Sequence, residues 1–244
     1  MDTGILAMFA MASVLCNAND YHHLTVGPEA CIIYEQDRHL GSGHRKNMWM
    51  AGANISYEYL EPVNFYFGAE AKYMVGSMTV SDMFYYPVKR YELERQFDTV
   101  HKSLEARVGF NFLGYRDFMI TPYIGAGDKY TRAISSDKDL RMRMSRETLY
   151  VVHGVRAEYI FSKSVHFGVN FRQYAPMRGS SRSSVVPSYL NPLAGGHEIS
   201  FPWAFKLHGN EESFVLKFEP YFRKDNVNST ELTIGSTLQI SCDF

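Results

Sequence analysis

Two kinds of side chain in this 244-residue sequence could do chemistry. The first is a set of charges that keep one parity along alternating stretches: Glu58, Glu70, Lys72, Glu105, Arg107, Arg156, Glu158, Arg172, Lys206, Lys217, Glu219 and Arg223. Acids and bases are interleaved. In a confined space such groups must pair or meet water, because an unpaired buried charge is costly. The set reads as a structural salt-bridge network or as the wall of a pore, and its balance argues against strong ion selectivity. The second kind sits in polar connections. Asp137-Lys138-Asp139 offers two carboxylates and Asp37-Arg38-His39 a carboxylate beside an imidazole, groups that can activate water. His101, Ser103 and Glu105 share a parity and have the residue types of base, nucleophile and orienting acid. Such spacings are common by chance in polar segments, and a working base needs hydrogen-bond reach. His22-His23 has no third ligand at a sensible spacing. There is no phosphate loop, cysteine cluster or nucleic-acid signature. The expectation is no catalytic site, no cofactor and no bound metal.

These charges need a scaffold, and the composition narrows it. Lys+Arg number 25 against Asp+Glu 26, a net charge of −1, which argues against a nucleic-acid partner. Aromatics reach 15%, with 17 Tyr and 17 Phe, more than a soluble core needs. Mean hydropathy is only −0.24. Beyond the N-terminus no apolar run approaches the roughly 18 residues of a spanning helix. Residues 5–15 are apolar and small, and are followed by Cys16-Asn17-Ala18. This predicts a signal peptide over 1–18 with cleavage after Ala18, although the leader carries Asp2 and no Lys or Arg. The alternative is a buried N-terminal helix.

Most of the remainder alternates with a period of two. Residues 232–244 are the clearest case: Leu232, Ile234, Leu238, Ile240 and Phe244 oppose Glu231, Thr233, Thr237, Gln239 and Asp243. That is a two-faced β-strand. Similar stretches occupy 47–60, 64–76, 99–113, 118–127, 148–161, 165–174, 197–208 and 213–223, with a weaker one at 24–35 that contains Pro28. Short links follow the second, fourth, sixth and eighth stretches, and long links follow the third, fifth and seventh. Outer-membrane barrels have short periplasmic turns, longer outside loops and, in bacteria, even strand numbers. The weak first stretch is then needed, which gives about ten strands, with eight as the alternative. Outside loops are predicted at 36–46, 77–98, 128–147, 175–196 and 224–230. If Cys31 and Cys242 met they would tie the first strand to the last, but strand geometry disfavours the bond. The same alternation would serve a soluble barrel with its apolar parity inside.

The terminal strand ending on Phe244, and the phrase Thr121-Pro122-Tyr123-Ile124-Gly125-Ala126-Gly127, resemble small bacterial outer-membrane barrels of the opacity, OmpA and OmpW kinds. The resemblance implies an integral outer-membrane protein in lipid and lipopolysaccharide, with Phe244 as the signal read by the barrel assembly machinery. It also implies that the aromatic parity, including Trp49, Tyr57, Tyr59, Tyr73, Tyr159, Phe161, Trp203 and Phe222, meets lipid as interface girdles. Two enzyme families are weaker resemblances. Ten-stranded omptin proteases use an Asp-Asp and an Asp-His pair at the barrel rim, but here the order of the pairs is reversed. Lipid A deacylase barrels use Ser, His and Glu, but the residues around His101 and Ser103 do not match their motif.

The expected architecture is all-β: one antiparallel up-and-down transmembrane barrel over 19–244 behind a cleaved leader. The expected role is non-enzymatic, structural or adhesin-like, acting through loops that bind a host or envelope ligand. Arg132, Arg141, Arg143 and Arg146 would suit lipopolysaccharide or sulfated glycans. A small porin is the first alternative and a rim hydrolase the second.

Overall fold

The computed structural model describes residues 22–37, 43–60, 64–86, 89–113, 117–136, 142–162, 164–183, 195–208, 213–227 and 229–243. The leader 1–18 and Phe244 lie outside them. The strands are β1 (His22–Asp37), β2 (Gly43–Leu60), β3 (Phe65–Tyr86), β4 (Lys89–Phe110), β5 (Phe112–Leu113), β6 (Phe118–Ser135), β7 (Arg143–Ser162), β8 (Val165–Ser183), β9 (Gly195–Ser200), β10 (Trp203–His208), β11 (Ser213–Val227) and β12 (Ser229–Asp243). Every pairing is antiparallel between staves consecutive in the chain, and β12 returns to β1, so the sheet closes. The short β5 continues β4 beyond Asn111 and pairs with β6. β9 and β10 form one stave between β8 and β11. Its break falls at Phe201-Pro202, where proline has no ladder donor; the Pro202 carbonyl instead accepts from Gly168 N–H at 2.7 Å. Among the described residues this makes ten barrel staves.

The weak first stretch is a full strand despite Pro28. Its register with β2 runs unbroken, while its register with β12 lapses at Gly27 and Pro28 and resumes at Glu29. Proline costs a strand only the hydrogen bond that its missing N–H would donate.

The two parities separate inside from outside. Leu104 is 63% exposed, and Ile32, Trp49, Tyr73, Ile124, Phe161, Leu207 and Ile234 also face outward. Glu29, Lys46, Asn54, Glu70, Glu105, Arg107 and Arg172 are buried within. This is the inverse of a soluble barrel, and it is what a hydrocarbon solvent demands of a closed sheet. No helix among the described residues is long and apolar enough to cross a membrane; the strands do the crossing.

His23 lies opposite Asp243, at the rim that the sequence reading places in the periplasm. One reversal there is set by Asp117, whose φ of 61° only glycine and short polar residues adopt readily; its carbonyl accepts from Ile160 N–H at 3.0 Å. At the outer end the predicted loops 77–98 and 128–147 are largely strand instead. Pairing of β3 with β4 continues to Tyr86↔Lys89, and that of β6 with β7 to Ile134↔Arg143. Likewise β1 and β2 pair out to Asp37↔His44, β8 reaches Ser183, and β11 and β12 pair to Val227↔Ser229. Polar side chains hid these extensions, because there the outward face is polar and the apolar residues, such as Met78, Val80 and Phe97, point inward. The narrow outer reversals follow from the same pairing.

Candidate functional site

Alternation points one parity of every stave at the barrel axis, and the lumen is where the polar chemistry collects. Its middle is a belt of ion pairs. Glu70 on β3 meets Lys72 Nζ at 3.0 Å, Arg107 Nη2 at 3.4 Å and Arg172 Nη1 at 3.5 Å, and accepts from Asn54 Nδ2 at 2.8 Å. Lys72 also reaches Glu29 at 3.1 Å. Arg172 on β8 further meets Glu198 at 3.5 Å, Glu219 at 3.8 Å and Glu105 at 3.9 Å. Nearer the periplasm, Arg156 on β7 donates to Glu58 on β2 at 2.8 Å and, through Nε, to Glu158 at 2.9 Å. Lys217 lies 3.7 Å from both Glu58 and Glu219, and Arg223 donates to Asp225 at 2.8 Å. β2 and β7 are not neighbours in the sheet, nor are β3 and β8. These contacts therefore span the lumen rather than run along its wall.

Five tyrosines brace this belt. Tyr66 donates to Glu58 at 3.2 Å, Tyr150 to Glu105 at 2.9 Å, Tyr174 to Glu198 at 3.0 Å and Tyr221 to Glu29 at 2.8 Å. The amide oxygen of Asn170 accepts from Arg172 at 2.8 and 3.0 Å, and its nitrogen donates to the Tyr123 hydroxyl at 2.8 Å. All five rings stand directly across from glycine on the next stave: Tyr66↔Gly109, Tyr123↔Gly154, Tyr150↔Gly127, Tyr174↔Gly196 and Tyr221↔Gly235. The Tyr150 hydroxyl lies 2.5 Å from where a Cβ on Gly127 would sit, and that of Tyr123 lies 2.6 Å from the same point on Gly154. Glycine lets these rings lie flat across the wall so that their hydroxyls reach the belt.

The belt leaves separate spaces. A cavity of about 280 Å³ opens on the periplasmic side, lined by His23, Arg156, Glu158, His166, Lys206 and Lys217 among others. One of about 30 Å³ lies within the belt and one of about 90 Å³ above it. The outer half of the lumen adds an apolar patch to these charges. There Cys31, Ile33, Met48, Met50, Met74, Met78, Val80, Phe97, Ala133, Met142, Met144 and Tyr221 form one buried cluster.

All twelve charges singled out from the sequence lie on the lumen side, and eleven join the belt; Lys206 lines the periplasmic cavity. Sequence reasoning missed Glu29, Glu35, Lys46, Lys129, Glu198, Asp225 and Glu231, and all five tyrosines. The tyrosines had a legible signal, since each falls on the polar parity and opposes a glycine.

The other candidates fare differently. His39, Asp137 and Asp139 lie outside the described residues, and of Asp37 only the backbone is described. His101, Ser103 and Glu105 do share the lumen face of β4, but His101 and Glu105 are four residues apart, about 13 Å along a strand. His101 Nδ1 engages Thr131 Oγ1 at 3.0 Å, and Glu105 accepts from Tyr150, so the three do not form a proton relay. Arg146 lines the cavity above the belt, whereas Arg132 and Arg143 are exposed on the exterior; Arg141 lies outside the described residues. Cys31 is a free buried thiol opposite Gly235, while Cys242 lies opposite Leu24. Those levels are seven residues apart on β1 (24 to 31), about 23 Å, too far for a disulfide.

No family model matches the sequence. No curated protein matches it either. Solved structures do. The outer-membrane protease OmpT from Escherichia coli is similar with a TM-score of 0.58 at 8% identity, over 92% of this chain and 97% of that one. OprG from Pseudomonas aeruginosa gives 0.43 at 9% (93% and 98%), and an outer-membrane channel from Pseudomonas putida F1 gives 0.49 at 7% (93% and 97%). The OmpT likeness is one of fold alone. With the closed sheet, apolar exterior and charged interior, it defines the class: this is an integral β-barrel protein of the bacterial outer membrane.

Proposed function

We propose that this barrel is sealed and non-catalytic, and that it acts through its outer hairpins as a surface scaffold or adhesin-like protein. The observation that carries this reading is the set of ion pairs crossing the lumen, Arg156–Glu58 and Arg172–Glu70, between staves that are not neighbours. A path for solutes would have to break several charge-assisted contacts at once, and each break would strand a buried charge. His101, Ser103 and Glu105, the residues that could have formed a relay, are spread along β4 and hold separate partners. At the outer end the exterior carries exposed Arg45, Lys102, Arg132, Arg143, Arg178 and Lys224, a placement suited to lipopolysaccharide phosphates. Kinship with opacity- and OmpW-type barrels, as the 121–127 phrase suggests, belongs to the same reading, as does recognition of Phe244 by the assembly machinery.

Planar-bilayer recording of the detergent-folded protein tests the seal. The wild type is expected to show no steady conductance. Removing both spanning cations, Arg156→Ala with Arg172→Ala, is expected to produce discrete channel steps. Steady ohmic current through the wild type would instead make the protein a small porin.

A further inference from the structure

We propose that the methionine-rich patch in the outer half of the lumen holds a soft monovalent cation, of the Cu(I) or Ag(I) class, on thioether, thiol and imidazole donors. The inference is independent of the sealed-barrel reading. Methionine is an ordinary filler of irregular gaps; what sets this cluster apart is which donors the register aligns. Cys31 on β1 stands directly opposite Met50 on β2, and Met74 on β3 directly opposite His101 on β4. Met50 in turn faces Gly76, two residues along β3 from Met74, so the two methionines are diagonal neighbours. Directly opposed Cβ atoms lie about 4.5–5.5 Å apart and diagonal ones about 7–8 Å, within reach of long side chains converging on one point. Gly76 contributes no side chain, which leaves room between them.

Two further observations favour a bound ion over packing alone. Cys31, Met50, Met74 and His101 all line the same cavity of about 90 Å³. His101 engages Thr131 through Nδ1 at 3.0 Å. If that contact is an Nδ1–H donated to the hydroxyl, Nε2 keeps its lone pair, the arrangement typical of a metal-bound histidine. Hard divalent ions do not suit the site: the described residues contain no cluster of three His, Cys, Asp or Glu able to hold one. Thioethers and thiols select Cu(I) and its congeners.

The test uses the full chain folded in detergent, with closure of each variant checked by heat-modifiable gel migration. It is titrated anaerobically with Ag(I), and with Cu(I) held by a competing chelator. The wild type is expected to take one equivalent, with a sulfur-dominated shell by X-ray absorption. Met50→Leu with Met74→Leu, which nearly conserves volume, is expected to lose about 100-fold or more in affinity, and Thr131→Val about 10–100-fold through the freed imidazole. Should the double leucine variant bind as tightly as the wild type, or the wild type fail against the chelator, or the shell contain only nitrogen and oxygen, the site does not exist and the methionines are packing.

Discussion

Lys46 and Glu231 are 185 residues apart in sequence and meet at 2.6 Å across the seam where the last stave closes on the first. Between them stands Glu35 on β1, directly opposite both and also in contact with Lys46. Two carboxylates thus face each other across the closure, and one fully buried ammonium holds them together. Lys46→Met would leave like charges opposed in the lumen, with an expected cost of about 3–5 kcal/mol. Glu35→Gln should cost much less, because Lys46 keeps Glu231, and it should recover part of the loss in the double variant. Urea unfolding in detergent measures all three. Equal costs for Lys46→Met and Glu35→Gln would show that the lysine is not the keystone of the seam.

The second expectation concerns the belt. Arg156 holds Glu58 from four staves away, and among the described residues Lys217 at 3.7 Å and Tyr66 at 3.2 Å remain to it when the guanidinium goes. Arg156→Met should destabilise by about 3–5 kcal/mol, while Arg156→Met with Glu58→Gln should cost less than the sum of the two changes. Additive costs in that double-mutant cycle would mean that Glu158 or water, not Glu58, satisfies the arginine.

Tyrosine facing glycine gives a third. On Gly127→Leu the new Cβ would lie 2.5 Å from the Tyr150 hydroxyl, so the ring must leave the wall and release Glu105. A loss of about 1–3 kcal/mol is expected for this overpacking. Tyr150→Phe should cost about 1.5–3 kcal/mol, since it removes a hydrogen bond to a charged acceptor. In Tyr150→Ala the Gly127→Leu change should cost less, with only the Leu104 carbonyl, 2.8 Å from the new Cβ, left to give way. If leucine is as costly without the ring as with it, the pair is not a fitted unit.

How much of this was legible follows from what each residue answers to. Alternation over 47–60 or 232–244 answers to lipid on one side and charge on the other, so strand, face and lumen charges could be read together. Residues 77–98 answer to neither: beyond the membrane the outward face is polar, the inward Met78, Val80 and Phe97 pack in a cluster that only closure forms, and the β3–β4 extension looked like loop. The methionines lie on the polar parity, where an apolar residue breaks the pattern, and only closure brings Met48, Met74 and Met144 into one cluster. Lys46 lay in a predicted loop, and its partner Glu231 meets it only because β12 returns to β1. Local period was readable; contacts that depend on the ring closing were not.

The last expectation tests which face meets hydrocarbon. Val108 on β4 is flanked by Phe67 on β3 and Ile124 on β6, well inside the strand ladder, and it is 41% exposed. In lipid an arginine there must carry its charge into the apolar band, at a cost of about 2–4 kcal/mol near the midplane and less toward the rims. Val108→Ala opens no buried cavity and should cost far less. A series of arginines along one exterior parity, at Val100, Leu104 and Val108, should therefore trace the depth of the membrane, with the largest loss at the middle of the span, read by refolding into vesicles. In a soluble barrel the same substitutions would be neutral or would raise solubility. A flat profile along β4 would remove the membrane from the account, because nothing but hydrocarbon makes that wall discriminate by depth.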